Sequence, residues 1–311
     1  MEQDGRMSGY IRQLVWTALL HVFLPSASAA PPGDAASMAY QREVVATLTD
    51  ASGSGVLGVR SSASQRAAAA DWIATQFGRL GLRPQRHEYR RKNVNPVVDL
   101  LLAPYRGTNV FAVLEASDSA APHVILGAHY DSVPDSPGAI DNATGVALVL
   151  DLARRLAVRP DRRFHYVLVL FDQEEDDEVG SRAFVDYIAA QGWPVHSAHV
   201  ADLVGWDEDG DRAVEVQSPG AMLEGHYRRA ADARGVTLHV TRGASSDNRS
   251  FLDAGYPTAG VWEEWDHDDS TPHLHRASDR LETVDFGFLA STTALVYDVL
   301  LDMETADRDT D

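Results

Sequence analysis

The sequence predicts an α/β fold, a mostly parallel mixed central sheet with helices on both faces, and three observations predict it. From Asn109 onward short apolar runs alternate with stretches of helical periodicity, the order that builds parallel strands joined by crossover helices. Neither an internal repeat nor a linker long enough to separate one domain from another interrupts that order. His, Asp and Glu follow directly on the apolar runs, where a buried strand ends and a loop begins: Gly127-Ala-His-Tyr-Asp-Ser132 after Val124-Ile-Leu126, and Phe171-Asp-Gln-Glu-Glu175 after Val167-Leu-Val-Leu170. Open α/β sheets keep their chemistry at those strand ends.

Taken in order, Asp34 to Asp50 and Ser64 to Leu80 read as amphipathic helices, the second stopped by Gly81 and Pro84. The alanines at 67–70 supply helix propensity and close packing. Asn109 to Leu114 and Val124 to Ala128 are expected strands, Ala143 to Ala157 a helix, Phe164 to Phe171 a strand and Ser181 to Gln191 a helix. Strands follow at His199 to Leu203 and Ala213 to Gln217, then a helix at Ala221 to Arg234. Strands at Thr237 to Val240 and Thr258 to Trp262 and a helix from Asp285 to Met303 complete the domain, taken as residues 31–303. The acidic tail, residues 304–311, is expected to fray.

The first thirty residues read differently. Arg6 and Arg12 precede the apolar run Leu14 to Leu24, and Pro25-Ser-Ala-Ser-Ala-Ala30 supplies small residues suited to signal peptidase. A run of that length falls short of the ~20 residues a membrane-spanning helix needs. Residues 1–30 are therefore read as a signal peptide, cut after Ala29 or Ala30, and the mature chain as secreted or periplasmic. No other segment reads as apolar enough to cross a membrane.

The chain of 311 residues has 44% hydrophobic residues, enough for a sizeable core, and no cysteine. Disulfides, cysteine-ligated structural zinc and iron–sulfur clusters are thereby excluded. A formal net charge of −19 argues against nucleic acid or anionic lipid as a partner and favours cations. Imidazole with several carboxylates is the donor set of a hydrolytic zinc centre, with one ion or two.

The order His-x-Asp at 129–131, Gly138-Ala-Ile-Asp-Asn-Ala-Thr-Gly145, Glu174-Glu175, Asp202 in Ala201-Asp-Leu-Val-Gly205, and His275-Arg-Ala-Ser-Asp279 resembles the secreted di-zinc aminopeptidases, metallopeptidase family 28. The similarity runs over roughly residues 40–300 and is strongest from Gly127 to Gly180; Arg60, the helix into Gly81-Leu82 and the Asn109-Val strand also have equivalents there. The resemblance implies two Zn2+ per chain, one held by His129, Asp141 and Asp202, the other by Asp141, Glu175 and His275. Asp141 would bridge them with one oxygen each and would precede a cis peptide to Asn142. Two cations about 3.5–4 Å apart serve both the attacking and the departing oxygen of a displacement.

Glu174 would be the general base, and Asp131 would hold the His129 imidazole in one tautomer or merely cap its loop. Glu174 and Glu175 would point oppositely if strand geometry continues through them. Asp176, Asp177 and Glu178 read as solvated surface. A lone Asp202 at a strand end is also a common turn cap. His273 competes with His275, and the family's His followed four residues on by Asp selects His275. Ser246-Asp-Asn-Arg-Ser-Phe resembles the family's Ser-Asp-His-x-x-Phe, with Asn248 in place of His and no tyrosine in residues 242–246 to assist the oxyanion.

The implied substrates are peptides with a free N-terminus; the oligomeric state is not legible. Glutaminyl cyclases share His-Tyr-Asp-Ser and Asp-Leu-x-Gly but use one zinc. A carboxypeptidase-type enzyme would need an arginine cluster, for which Arg242 and Arg249 are candidates, and a non-catalytic binding module would be expected to lose ligands first. Trp193, Trp206, Trp262 and Trp265 could line a substrate pocket, although buried packing is the commoner use of tryptophan, and Trp206 and Trp262 follow strands that should end near the site. The remaining histidines, at 87, 123, 165, 196, 199, 226, 239 and 267, lack motif context.

Overall fold

The computed structural model describes residues 32–49, 57–92 and 103–306; the expected signal peptide and residues 307–311 of the tail lie outside them. Helix α1 is Pro32–Thr49 and α2 is Ala63–Arg79. Ser62 caps α2 reciprocally, its hydroxyl accepting from the Gln65 amide while the Gln65 side chain accepts from the Ser62 amide. Strands β1 (Gln85–Arg91), β2 (Tyr105–Leu114) and β3 (His123–His129) lead to a π-helical turn, Ala139–Ala143, and helix α3, Thr144–Ala157. Then come β4 (His165–Phe171), α4 (Val179–Gln191), β5 (Val195–Ala201), β6 (Val214–Gln217), α5 (Ala221–Arg234), β7 (Leu238–Thr241) and α6 (Asn248–Asp253). Strand β8 (Thr258–Trp262), a 3-10 turn at Leu281–Thr283 and α7 (Phe286–Ala306) finish the chain.

The strands form one sheet in the order β1-β2-β4-β3-β5-β8-β6-β7. Its four central strands, β4-β3-β5-β8, are mutually parallel, and antiparallel pairings occur only on the flanks. The run His-Tyr-Val-Leu-Val-Leu-Phe of β4 is buried throughout because both faces are covered. Tyr166, Leu168 and Leu170 enter the core shared with α1, α2, α3, α5 and α7, while Val167, Val169 and Phe171 meet Phe184 of α4 and Phe251 of α6. Each such burial contributes about 1.5–3 kcal/mol. From β3 the chain passes by α3 to β4 on one side, then by α4 to β5 on the other. The carboxyl end of β3 is therefore the switch point, where an α/β sheet opens a crevice.

Several boundaries differ from expectation. Strand β1 is not expected from the sequence, because Gln-Arg-His-Glu-Tyr-Arg-Arg carries one buried residue, Tyr89, and reads as polar loop. Pairing with β1 also extends β2 back from Asn109 to Tyr105. Strand β5 starts at Val195, earlier than His199, and α6 forms where the sequence reading assigns no element. Helix α7 runs past Met303, and Glu304 is buried, accepting from Arg159 and from the Tyr166 hydroxyl, so the tail does not fray at its first residue. Helix α7 is also long and apolar enough to cross a membrane by composition, contrary to the sequence reading; its apolar surface is spent against α1, α3 and α5.

Candidate metal centre

His129 is the last residue of β3 and is 1% exposed. Its Nε2 lies 3.3 Å from Asp141 Oδ1 and 3.4 Å from Asp202 Oδ1, the latter on the residue after β5. On the other side of Asp141, His275 Nε2 lies 3.3 Å from Oδ2 and 3.1 Å from Glu175 Oε2. Two donor groups, His129-Asp141-Asp202 and Asp141-Glu175-His275, share Asp141 through different oxygens, and His129, Glu174 and Glu175 form a third. All five expected metal residues are thus brought together. His273 is not among them: its ring packs edge-on against Trp206 and its Nδ1 lies 2.9 Å from the Ser278 hydroxyl.

The turn that presents Asp141 is held from three directions. Gly138 opens it at φ 63, and a Cβ there would lie 2.4 Å from the Asp141 carbonyl oxygen, so only glycine fits. Fully buried Arg60 donates to the carbonyls of Tyr130, Pro137, Gly138, Leu48 and Gly58, tying the ends of β3 and of the turn to the segment after α1. Burial lowers its pKa to about 10, which leaves it charged at neutral pH. Asp279 accepts the amides of Ile140 at 2.8 Å and Asp141 at 3.1 Å, so the acid four residues after His275 grips the backbone of the shared carboxylate. The Asp141–Asn142 peptide is cis, as the resemblance implied, and Asn142 donates to the Ala201 carbonyl beside Asp202.

Asp131 is more than a loop cap. Its oxygens accept the Glu174 amide at 3.1 Å and the Glu175 amide at 3.3 Å, and Oδ1 lies 3.4 Å from His129 Nδ1. One carboxylate thereby holds the amides of both glutamates and lies beside the imidazole. Strand geometry stops at Phe171 and Gln173 turns left-handed at φ 59, so the separation of Glu174 from Glu175 comes from this turn rather than from a pleat. Glu174 Oε2 lies 4.0 Å from His129 Nε2. Glu178, expected at the surface, is buried and paired with Arg182.

The electrostatics are those of too many acids in one dry place. Burial pushes the Glu174 carboxyl well above the usual range, with Asp247, Asp202 and Glu175 adding to the rise. Burial likewise takes Glu175 to about 7 and Asp247 to about 8. Burial opposes ionisation of Asp141 too, yet the adjacent imidazoles of His129 and His275 hold it below the usual carboxylate range. Contacts with Asp141 and Glu175 raise His275 to about 10. Both ring nitrogens of His129, Glu175 Oε1 and Asp202 Oδ1 are buried without a hydrogen-bond partner among the described residues. Orphaned imidazole and carboxylate donors facing one another fit a pair of divalent cations of the zinc type.

A cavity of about 170 Å³ opens on Glu174, Glu175, Asp202 and His275 and is walled by Leu203, Trp262, Trp265 and Leu274. Trp262 lies where expected, whereas Trp206 turns away and donates to Asp269. Trp265, also among the tryptophans that could line a pocket, stands in its wall, whereas Leu274 carries no sequence signal. Asn248 is buried and accepts the Ser246 amide; it is not among the donors of either group. Arg242 and Arg249 are exposed and do not line the cavity. Asp207, Asp209, Asp211, Glu264 and Asp269 also gather, but His239 lies 3.0 Å from Glu264, and Asp269 is taken by the Trp206 indole and the Glu208 and Asp209 amides.

Residues 109–300 match the model of peptidase family M28. Aminopeptidase YwaD of Bacillus subtilis is 29% identical over 184 residues, 57% of this chain and 40% of that protein. The probable lipoprotein aminopeptidase LpqL of Mycobacterium tuberculosis is 26% identical over 214 residues, 58% of this chain and 42% of that protein. The matches thus span about two fifths of the length of these curated relatives. Among solved structures, BSAP, a zinc aminopeptidase from Bacillus subtilis, superposes with a TM-score of 0.74 at 17% identity, covering 86% of this chain and 94% of that one. Glutaminyl cyclase of Porphyromonas gingivalis does so with a TM-score of 0.69 at 19% identity, covering 87% and 98%. At such identities the likeness establishes the α/β fold.

Proposed function

The chain belongs to peptidase family M28, and from that premise we propose that it is a zinc-dependent aminopeptidase that removes the N-terminal residue from peptides and carries two zinc ions per chain. The observation that carries this reading is Asp141, whose two oxygens each face a different imidazole and a different further carboxylate. His129, Asp141 and Asp202 hold one ion, and Asp141, Glu175 and His275 the other. Bound there, the ions supply Lewis acidity toward the scissile carbonyl and make water a nucleophile at neutral pH.

The rest falls to the chain's own groups. Glu174, at the mouth of the cavity and with its carboxyl pushed up by burial, takes the proton of the attacking water and returns it to the leaving amine. Asp131 fixes His129 and the Glu174-Glu175 turn, so base and ligands keep their spacing. The acids around Glu174 also suit the α-ammonium of a free N-terminus, and Leu203, Trp262, Trp265 and Leu274 receive its side chain. Residues 31–303 act as one domain, and the run Leu14 to Leu24 with its small-residue site supports export before the enzyme works.

The test is metal content of the purified chain by elemental mass spectrometry, together with hydrolysis of aminoacyl anilides. Two zinc ions per chain and anilide turnover are expected. A single ion with cyclisation of N-terminal glutamine would overturn the two-ion assignment, and a metal-free chain that binds peptides without cleaving them would overturn the enzyme reading.

A further inference from the structure

Strands β1 and β2 form an arm that reaches past the carboxyl end of β4. The Thr108 amide donates to Asp172 at 3.0 Å, so Thr108 is level with the residue that follows β4. Arg106 stands two residues farther toward the metal-centre side, roughly 7 Å on. Tyr105, on the face of the arm opposite to Arg106, packs with Tyr89 and Val179, which opens the helix after the turn that bears Glu174 and Glu175. In the register of this arm Arg90 is directly opposite Arg106, and both are exposed.

Like charges directly opposed across an antiparallel pair repel each other. Several neighbouring acids are engaged elsewhere, Asp172 2.7 Å from Arg66, Asp71 2.7 Å from Arg86 and Asp186 paired with Arg91, while Asp176 and Asp177 act on Tyr105 next to Arg106. Glu88, opposite Thr108, lies one diagonal step from Arg106 and offsets some of one charge. Arg106 also lines a cavity of about 250 Å³ between α2 and the arm, whose floor is Asp172. Glu88 aside, no ion pair among the described residues engages Arg90 or Arg106, so two guanidinium groups stand on the arm of a chain whose formal net charge is −19.

We propose that Arg90 and Arg106 form a carboxylate subsite for the portion of the peptide downstream of the cleaved bond. This rests on the peptidase reading above. Paired guanidinium groups accept a carboxylate in planar, charge-assisted hydrogen bonds. The surrounding negative field repels acidic peptides elsewhere, so such peptides reach the centre from the arm side. The carboxylate is either the C-terminus of a short peptide or an acidic side chain.

Three peptides decide it: Leu-Ala-Ala with a free C-terminus, the same peptide as its amide, and Leu-Ala-Glu as its amide. A roughly tenfold higher kcat/KM for an acid-bearing peptide over the plain amide is expected at low salt, shrinking as salt is added. In the double variant Arg90→Gln/Arg106→Gln the ratio is expected to fall close to one, while Arg90→Lys/Arg106→Lys keeps some of it. Preference for either acid-bearing peptide supports the subsite and names the source of the carboxylate. Equal kcat/KM for all three in the wild-type chain overturns the subsite and leaves the peptidase reading intact. Should none be cleaved, the peptidase reading itself fails, and calorimetry with the same peptides judges the arginine pair: tighter binding of the acids, lost in the Gln variant, supports it, and equal binding overturns it.

Discussion

Asp141 can serve two imidazoles because both of its backbone neighbours are held, the Ile140 and Asp141 amides by Asp279 and the Asn142 side chain by Ala201. Replacing Asp279 with Ala frees two buried amides and the turn with them; zinc affinity, read by competition with a chelator, is expected to fall about 10- to 100-fold. Unchanged affinity would remove Asp279 from the positioning of the site. Glu174→Gln is expected to retain both zinc ions and lose about 100- to 10,000-fold in kcat; substantial residual turnover would assign the proton transfer elsewhere. Away from the site, His199 is buried between Ser197 and the Tyr227 hydroxyl, and burial lowers its pKa to about 3. The unfolded chain takes up this proton near pH 6.5 and the folded chain does not. The stability tied to a neutral His199 is therefore present above pH 6.5 and drains away as pH falls toward 3. Urea midpoints at pH 7 and pH 4.5 are expected to differ less in His199→Gln than in the wild type.

At the scale of elements, legibility follows coverage by neighbours. Strand β4 is readable nearly to the residue because both its faces are covered, so every side chain is apolar or buried. Strand β1 is not readable: it is an edge, and one side chain of its seven is buried, so its pairing with β2 replaces the hydrophobic pattern as the reason it exists. The same split holds in the site. His129, Asp141, Glu174 and Glu175 stand in dense motifs at strand ends and can be found by type and spacing. The assignment of Asp131 to two backbone amides, and the walls Trp265 and Leu274, depend on where distant loops meet. Arg60 is legible only by resemblance, since its donors go to carbonyls that have no sequence signature. Helix α2 offers a local test: Ser62→Ala removes one half of a reciprocal cap and is expected to cost about 1 kcal/mol, seen as a lower Tm with unchanged metal content.

Over the whole molecule, the centre joins β3, β4, β5, the π-helical turn and the loop before α7, so bound cations would clasp the carboxyl edge of the sheet. Without them, Asp141, Glu174, Glu175 and Asp202 face one another with two imidazoles in contact and the Arg60 guanidinium behind the turn as counter-charges. Chelation is expected to lower Tm in proportion to the logarithm of the zinc withdrawn, and added zinc to restore it. A Tm indifferent to chelator would mean that the fold closes unaided.

The clamp by Asp279 also sets an order in time. Ribosomes deliver His129, Asp131, Asp141, Glu174, Glu175 and Asp202 first, and His275 and Asp279 only afterwards. Until those two emerge, the shared carboxylate lacks both its second imidazole and the grip on its backbone. A nascent chain that has not yet reached His275 and Asp279 therefore carries most of the acids of the centre without the contacts that hold them in place.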